Sequence, residues 1–221
     1  MATVLEPVQQ IIPDERFVLR AVDWQVYEGI LRAIGDHRTR LTFDGRNLEL
    51  MSPLPIHEFY GRMFDRLLAA LAFEFGFPLR NGGSMTFRRE NVERGLEPDS
   101  CYWVHSSFAI RGKQHFDFAI DPLPDLAIEI EISHSALDRI AIYAKLGIPE
   151  VWCFNGDSLR IHLLQSGGVY SESSTSRCFP QLPVQEMVSF LQPDDELDDT
   201  TRVRQFVEWA RPRFGRSGFP A

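Results

Sequence analysis

Cysteine is scarce in this sequence, and its few thiols are not grouped. Only three of the 221 residues are cysteines, at Cys101, Cys153 and Cys178, and no two of them form a CxxC pair. This spacing excludes a disulfide framework and a cysteine-ligated zinc site. Reduced thiols are typical of cytoplasmic proteins, so the sequence predicts a cytoplasmic location.

Long apolar runs are also lacking. No stretch approaches the roughly 18 apolar residues that a membrane span needs. The first residues have no basic region, and Glu6 interrupts their one apolar stretch. We therefore expect neither a signal peptide nor a membrane partner.

Positive charge is in deficit across the whole chain. There are 23 basic and 31 acidic residues, which gives a net charge of −8 and a pI near 5.3. This balance argues against a protein that coats nucleic acid non-specifically, but it leaves a local basic patch open. The best local candidate is the C-terminal arginine series, which comprises Arg202, Arg204, Arg211, Arg213 and Arg216.

The sequence contains neither a GxGxxG nor a GxxxxGK[ST] motif, so a phosphate-binding loop has no support. Its predicted elements run helix, hairpin, long helix, strands, helix, hairpin and helices, without regular βαβ alternation. This order predicts an α/β or α+β fold with a mixed sheet. We expect a loose lead-in over residues 1–20, one domain over 21–192, and an acidic loop with a final helix over 193–221.

Local patterns predict the individual elements. Apolar residues at three-and-four spacing indicate helices, and an Asp-Gly pair between alternating runs indicates a β-hairpin. The polar stretch ENVERGLEP is typical of a loop. The main predictions are a helix over 24–34, a hairpin around Asp44-Gly45, a helix over 56–75, a strand over 126–132, a helix opening at Ser135 with Asp138 as its capping-box acid, a hairpin at Asn155-Gly156, and helices over 184–191 and 201–210.

The most informative segment is PDLAIEIEIS, at residues 124–133. Side chains alternate along a strand, so its leucine and isoleucines form one apolar face, whereas Glu129 and Glu131 lie on the other. If that second face is in water at a sheet edge, the acids are ordinary surface residues. If the strand is central and covered, each acid needs a raised pKa, a basic partner or a metal ion such as Mg²⁺.

A further acid precedes the neighbouring predicted strand. Asp99 follows Pro98 and leads into Ser-Cys-Tyr-Trp-Val, and the Glu129-x-Glu131 pair comes thirty residues later. Asp99 could be a turn residue. Together, however, an acid at one strand and an acid pair on the next are typical of a metal-dependent phosphodiesterase, in which carboxylates hold Mg²⁺ or Mn²⁺.

At these residues the chain resembles the Uma-two type restriction endonucleases, members of the PD-(D/E)XK nuclease superfamily. The resemblance covers roughly residues 20 to 190. It rests on GRNLELMSP, on His57 at the start of the long helix, on Pro98-Asp99, on PDLAIEIEIS, on the helix with Asp138, Arg139 and Tyr143, and on LGIPEVW.

The resemblance implies a restriction-endonuclease-like fold, with a mixed central sheet flanked by helices, and magnesium-dependent hydrolysis of DNA. It implies Asp99 as the first metal ligand and Glu129 as the second acid. Glu131 falls where the superfamily often has lysine, and this is a departure, because a carboxylate cannot stabilise negative charge.

Two explanations of that departure stay open. Glu131 could ligate a second metal ion or act as a general base. Alternatively, Arg139, which shares a helix face with Tyr143, could supply the positive charge, although arginine is a poor base. His57 could be a base or a metal ligand, or simply a packed side chain.

Three functions follow from these observations. The first is a metal-dependent DNA endonuclease. The second is a catalytically inactive binding or interaction module on the same fold, which the missing lysine and the negative charge favour. The third is a metal-dependent hydrolase of a smaller phosphoester. For the first, the sequence leaves a homodimer open, because cutting two strands needs two sites.

Overall fold

The computed structural model describes residues 15–35, 38–118, 120–194 and 196–214. The strands are β1 (Glu15–Arg20), β2 (Arg40–Phe43), β3 (Asn47–Ser52), β4 (Arg80–Asn81), β5 (Phe87–Arg89), β6 (Arg94–Leu96), β7 (Ser100–Trp103), β8 (Leu126–Ile130), β9 (Glu150–Phe154), β10 (Leu159–Leu164) and β11 (Tyr170–Ser173). The helices are α1 (Trp24–Ile34), α2 (Pro55–Phe75), α3 (Arg139–Leu146), α4 (Val184–Met187) and α5 (Asp199–Phe214).

A six-stranded mixed sheet forms the centre of the fold, in the order β11-β10-β9-β8-β7-β4. The β8–β9 pair is parallel and its crossover contains α3, whereas the other pairs are antiparallel. Residues of α2 and α5 pack on one face of this sheet, and α3 packs on the other. The predicted mixed sheet flanked by helices is therefore confirmed.

Strand β8 is covered on both faces. Leu126, Ile128 and Ile130 belong to the core shared with α2 and α5, whereas Ala127 belongs to the core around α3. Glu129 points to the same side as Ala127 and is buried. The sheet-edge alternative for the acid pair is therefore wrong, and the covered alternative holds for Glu129.

A second sheet, which the sequence did not reveal as separate, has the order β1-β3-β2-β6-β5. One face is apolar and packs on α1 through Leu41, Phe43 and Leu48. The alternate positions carry Arg40 on β2 and Glu49 on β3, and their side chains lie on the opposite face. This alternation directs one face of the sheet to the core around α1 and the other face toward β8 and α3.

Three segments differ from their sequence-based predictions. Residues 15–20, expected within a loose lead-in, form β1 because they pair along the length of β3; residues 1–14 of that lead-in lie outside the described part of the chain. The polar stretch after Arg89 contains β6, which pairs with β2 and β5. Strand β11 had no clear signal and pairs with β10.

Helix α3 begins at Arg139, four residues later than predicted. Asp138 is the N-cap residue, since its side chain accepts a hydrogen bond from the Ala141 N–H at 2.9 Å. The hydroxyl of Ser135 instead donates to Glu49 at 2.8 Å. The Ser135 oxygen still accepts the Leu137 N–H at 3.1 Å, but Glu49 also accepts the Ala136 N–H, and regular helix begins only after Asp138.

The other helix and strand boundaries agree with expectation to within a few residues. The 126–132 strand ends at Ile130, although the Glu131 N–H still donates to the Phe154 carbonyl at 2.7 Å. The 184–191 helix is α4 followed by a 3₁₀ turn, and the final helix is longer than predicted, at 199–214.

The second sheet allows a stability test at Gly95 on β6. A Cβ at this position would overlap Tyr27 Oη and lie 2.6 Å from Cζ of a fully buried ring that stacks on Phe43. We expect Gly95→Ala to lower the free energy of unfolding by about 1–3 kcal/mol, because the ring has no room to retreat. Gly29→Ala in α1 is the matched control, since no atom lies within 4 Å of its Cβ.

The measurement is urea denaturation of both variants. Gly29→Ala should be neutral or stabilising by up to about 1 kcal/mol, because alanine favours a helix interior. Equal stability of the two variants would contradict the packing described for Tyr27.

Candidate active site

A cavity of about 240 Å³ lies where the second sheet, the end of β8 and the start of α3 meet. We call it the acid cavity. Four acids and four arginines are among its lining residues: Asp99, Glu129, Glu131 and Asp138, with Arg16, Arg40, Arg139 and Arg160. Four of the five site residues predicted from the sequence line it, namely Asp99, Glu129, Glu131 and Arg139.

Asp99 is fixed by backbone contacts to β8. Its N–H donates to the Ile128 carbonyl at 3.0 Å, and its Oδ2 accepts the Ile130 N–H at 2.7 Å. The other carboxylate oxygen pairs with the Arg40 guanidinium, and the Asp99 side chain is only 3% exposed. The strand pairing of β7 with β8 thus places this carboxylate at the end of the strand that carries Glu129.

The electrostatic surroundings favour the charged form of Asp99. Burial alone would raise its pKa, but the Arg40 charge and the adjacent His57 side chain lower the pKa to about 2, from an ordinary value of 3.8. The carboxylate is therefore ionised throughout the neutral range. Its negative charge is balanced by protein groups rather than by solvent.

Glu129 is held by a two-pronged ion pair with Arg139. Nη2 and Nε of the guanidinium donate to its two carboxylate oxygens at 2.6 and 3.0 Å, and the Tyr143 hydroxyl donates to one of them. Burial raises the Glu129 pKa and the charge of Asp99 adds to that rise, whereas Arg139 opposes it. As predicted, Arg139 and Tyr143 share one face of α3, since both contact this carboxylate.

Arg139 also joins the two sheets. Its Nη2 donates to the Glu97 carbonyl at 2.7 Å, just before Asp99 in the chain, and its Nη1 donates to the Thr42 hydroxyl on β2. The Glu129 charge raises the Arg139 pKa against the effect of burial. The guanidinium is therefore permanently charged and cannot act as a base.

Glu131 lies nearer the mouth of the cavity than Glu129. It is 30% exposed, and its Oε2 accepts a hydrogen bond from Arg160 Nη2 at 2.8 Å. Strand register brings the arginine there: Glu129 on β8 lies opposite Cys153 on β9, which lies opposite Arg160 on β10. A positive charge thus reaches the position where the resemblance leads one to expect lysine, but it comes from another strand.

His57 is not part of the acid cavity. Its buried side chain lies behind Asp99, with Nδ1 3.6 Å from Asp99 Oδ1, and it lines a neighbouring cavity of about 180 Å³. Arg40 and Asp99 line both cavities and form the wall between them. His57 can therefore orient Asp99, whereas direct contact with a group in the acid cavity would require Asp99 to move.

Sequence reasoning missed three charged residues of the second sheet. Arg40 pairs with Asp99, and Glu49 accepts hydrogen bonds from Arg16 Nη1 at 2.7 Å and from the Ala136 N–H at 2.7 Å. A charge at alternate positions of an otherwise apolar hairpin was the available signal for Arg40 and Glu49. Arg16 had no such signal, because its segment was expected to be a loose lead-in.

The C-terminal arginines do not form the basic patch that the sequence suggested. Arg202 is buried and donates to the Gln192 carbonyl. Arg211 and Arg213 form ion pairs with Glu74 and Glu186 at 2.7 and 2.9 Å. Arg204 remains exposed, and Arg216 lies outside the described residues. Of the four described arginines of this helix, two are therefore paired with glutamates and one is buried.

The donor chemistry of the acid cavity fits a hard divalent cation. Asp99 and Glu129 present carboxylate oxygens to one cavity, and such oxygens are the ligands that Mg²⁺ and Mn²⁺ prefer. In the arrangement described, each carboxylate is matched by a guanidinium. Across the described ranges, no three His, Cys, Asp or Glu side chains are gathered closely enough to ligate an ion. A cation would have to displace at least Arg40.

A mixed sheet that carries acids on two adjacent strands, with helices on both faces, defines a restriction-endonuclease-like α+β fold. The family model "Uma2: Putative restriction endonuclease" matches residues 27–198. This match covers most of the chain, and the protein belongs to that family. No curated protein matches the chain. Within the described residues, no helix is both long enough and apolar enough to cross a bilayer.

The depressed pKa of Asp99 predicts how stability depends on pH. A carboxyl whose folded pKa is below its unfolded value stabilises the fold above the unfolded pKa, here 3.8, and that contribution is lost as pH falls toward 2. In Asp99→Asn this contribution is absent. We expect the variant to have a lower free energy of unfolding than wild type at pH 6. This difference in the free energy of unfolding should shrink by roughly 2 kcal/mol as pH falls to the folded pKa.

Urea denaturation at stepped pH measures this gap. Asp157→Asn is the control, because Asp157 is exposed in the turn after β9. Its difference from wild type should stay nearly constant over the same range. A constant gap for Asp99→Asn would contradict the Arg40–Asp99 pair.

Proposed function

We propose that this protein is a metal-dependent DNA endonuclease that hydrolyses phosphodiester bonds with Mg²⁺ or Mn²⁺. The observation that carries the proposal is that Asp99 and Glu129, from adjacent strands, line one cavity open to solvent. Membership of a restriction endonuclease family supports a nuclease at the level of reaction class. The metal, the DNA substrate and the residue roles are our proposal.

Asp99 and Glu129 would hold the cation, and Glu131, which lines the same cavity, would have to move toward them to add a third carboxylate. A divalent cation bound there supplies Lewis-acid chemistry, which activates a water for attack and offsets charge on the leaving oxygen. The acid cavity contains equal numbers of acids and arginines among its lining residues. A bound dication would therefore make the net charge of the cavity positive, which favours binding of a negatively charged phosphodiester.

The surrounding residues keep these carboxylates in position. Arg139 and Tyr143 fix the orientation of Glu129 by hydrogen bonds to its carboxylate. The Ile130 N–H and His57 hold Asp99 from two sides. Glu131 is the best general-base candidate, because it is partly exposed and a carboxylate can accept a proton, whereas Arg139 cannot.

Nicking of supercoiled plasmid tests the proposal. Wild type should cleave with Mg²⁺ or Mn²⁺ and should stop when EDTA removes the metal. Asp99→Ala and Glu129→Ala should each lose at least a hundredfold in rate, because each removes a carboxylate proposed to hold the ion. Glu208→Gln is the control, since this glutamate is exposed on α5 and lies outside the acid cavity.

The comparison is valid only between folded proteins, so each variant is checked by circular dichroism and melting temperature. Cleavage by wild type and Glu208→Gln alone supports the proposal. Equal cleavage by all four proteins indicates a contaminating nuclease. No cleavage by wild type, across salt concentrations and DNA sequences, contradicts it.

One observation favours a second function, a catalytically inactive binding module on the same fold. The three acids already have guanidinium partners, so the ion pairs could serve stability without a metal. That reading predicts that millimolar Mn²⁺ leaves the melting temperature unchanged. The endonuclease predicts a rise that Asp99→Ala abolishes, because a ligand of the folded state stabilises it.

Three further expectations remain proposals. We infer that residues 21–192 form most of the catalytic domain, which β1 extends by one strand and on whose core α5 packs. A homodimer would provide the two sites that cutting two strands needs. The cytoplasmic location rests on the three thiols, which are buried and free.

A further inference from the structure

Arg160 differs from the other arginines of the acid cavity in its exposure. The Arg40 and Arg139 side chains are 10% and 12% exposed, whereas that of Arg160 is 50% exposed. Within the described residues, its one side-chain hydrogen bond is to Glu131, through Nη2. A guanidinium has five N–H donors, so most of the Arg160 donors have no protein acceptor among the described residues. Arg160 is therefore the arginine of this cavity that a large ligand can reach.

The position of Arg160 is determined by its neighbours on β10 and by the register of the sheet. Leu159 and Ile161, on either side, are buried in the core shared with α2 and α5. Alternation along β10 then directs Arg160 to the face that carries Glu129 and Glu131. The register through Cys153 puts it level with Glu129.

A second arginine reaches the cavity from the opposite sheet. Arg16 on β1 lies opposite Met51 on β3, which lies opposite Arg40 on β2, and all three line the acid cavity. Arg16 is held by Glu49 and by the Ser133 hydroxyl, at 2.7 and 3.0 Å. It precedes the residues that the family model matches, which begin at 27.

We propose that Arg160, supported by Arg16, forms a phosphate-binding site for the DNA backbone at the mouth of the acid cavity. Glu131 acts as an internal occupant of that site: it holds Arg160 in the free protein and competes with the DNA phosphate for it. The planar guanidinium matches a phosphate in the same two-pronged way as a carboxylate. The proposal rests on the proposed function only in taking DNA as the ligand.

The test measures DNA binding rather than cleavage. Anisotropy of a fluorescein-labelled duplex of mixed sequence is followed in EDTA across a salt series, so that no metal and no catalysis are involved. Arg160→Gln should weaken binding about two- to fivefold at low salt. It should also reduce the slope of log affinity against log salt by about one, the change expected for one lost phosphate contact.

Glu131→Gln should have the opposite effect and tighten binding, because it removes the competitor. A double-mutant cycle separates this cause from a general loss of negative charge. If Glu131 acts through Arg160, the gain disappears when Arg160→Gln is already present. If only overall charge matters, the gain is unchanged, and the proposal is overturned.

Two further variants complete the design. Arg204→Gln removes an exposed arginine on α5, outside the cavity, and should leave affinity and salt slope close to wild type. Arg16→Gln should weaken binding less than Arg160→Gln, because Arg16 is more buried. Equal losses in Arg160→Gln and Arg204→Gln, or no DNA binding by wild type at low salt, would overturn the proposal. Failure of plasmid nicking would leave it standing.

Discussion

The buried ion pair between Glu129 and Arg139 is the interaction on which the rest of the arrangement depends. The guanidinium contacts a carboxylate on β8, a hydroxyl on β2 and the Glu97 carbonyl, two residues before Asp99. It therefore joins α3, both sheets and the segment that delivers Asp99. Breaking a buried pair by removing one partner typically costs about 3–5 kcal/mol, because the remaining charge is left uncompensated.

A buried ion pair does not stabilise a core as well as apolar side chains can. Apolar residues of similar volume are often as stable or more so, because desolvating two charges offsets their attraction. The acid cavity nevertheless contains two such pairs, Arg40–Asp99 and Arg139–Glu129. Paired charges of this kind are typical of sites where a carboxylate must be ionised and correctly oriented, which is what a cation ligand requires.

The sequence predicted much of the fold because its signals were local. The alternation in β8, the Asp-Gly hairpin and the periodicity of α2 each depend on neighbouring residues, and all three were confirmed. The burial of Glu129 was left open because it depends on β7 and β9, which arrive from elsewhere in the chain. Strand β1 was missed for the same reason: only its pairing with β3 makes it a strand.

The candidate site was predictable in its acids but not in their partners. Asp99 and Glu129 follow a recognisable pattern, and Arg139 was expected on the face of α3 that it shares with Tyr143. Arg40 comes from the second sheet, and Arg160 comes two strands away, so local spacing contains no information about either contact. Ser135 is the opposite case, since its oxygen accepts the Leu137 N–H as a local cap would, yet its segment is bound to Glu49 and the helix begins four residues later.

The central proposal is that Asp99 and Glu129 together hold a divalent cation, and that Arg40 leaves Asp99 when the cation binds. Arg40 has an alternative partner, because its Nη2 lies 3.7 Å from Glu58 Oε1. The most direct test is a crystal structure with saturating Mn²⁺ and anomalous diffraction data. The account predicts an anomalous peak between the two carboxylates, with Arg40 turned from Asp99 toward Glu58. Intact Arg40–Asp99 and Arg139–Glu129 pairs with no peak between them would contradict it.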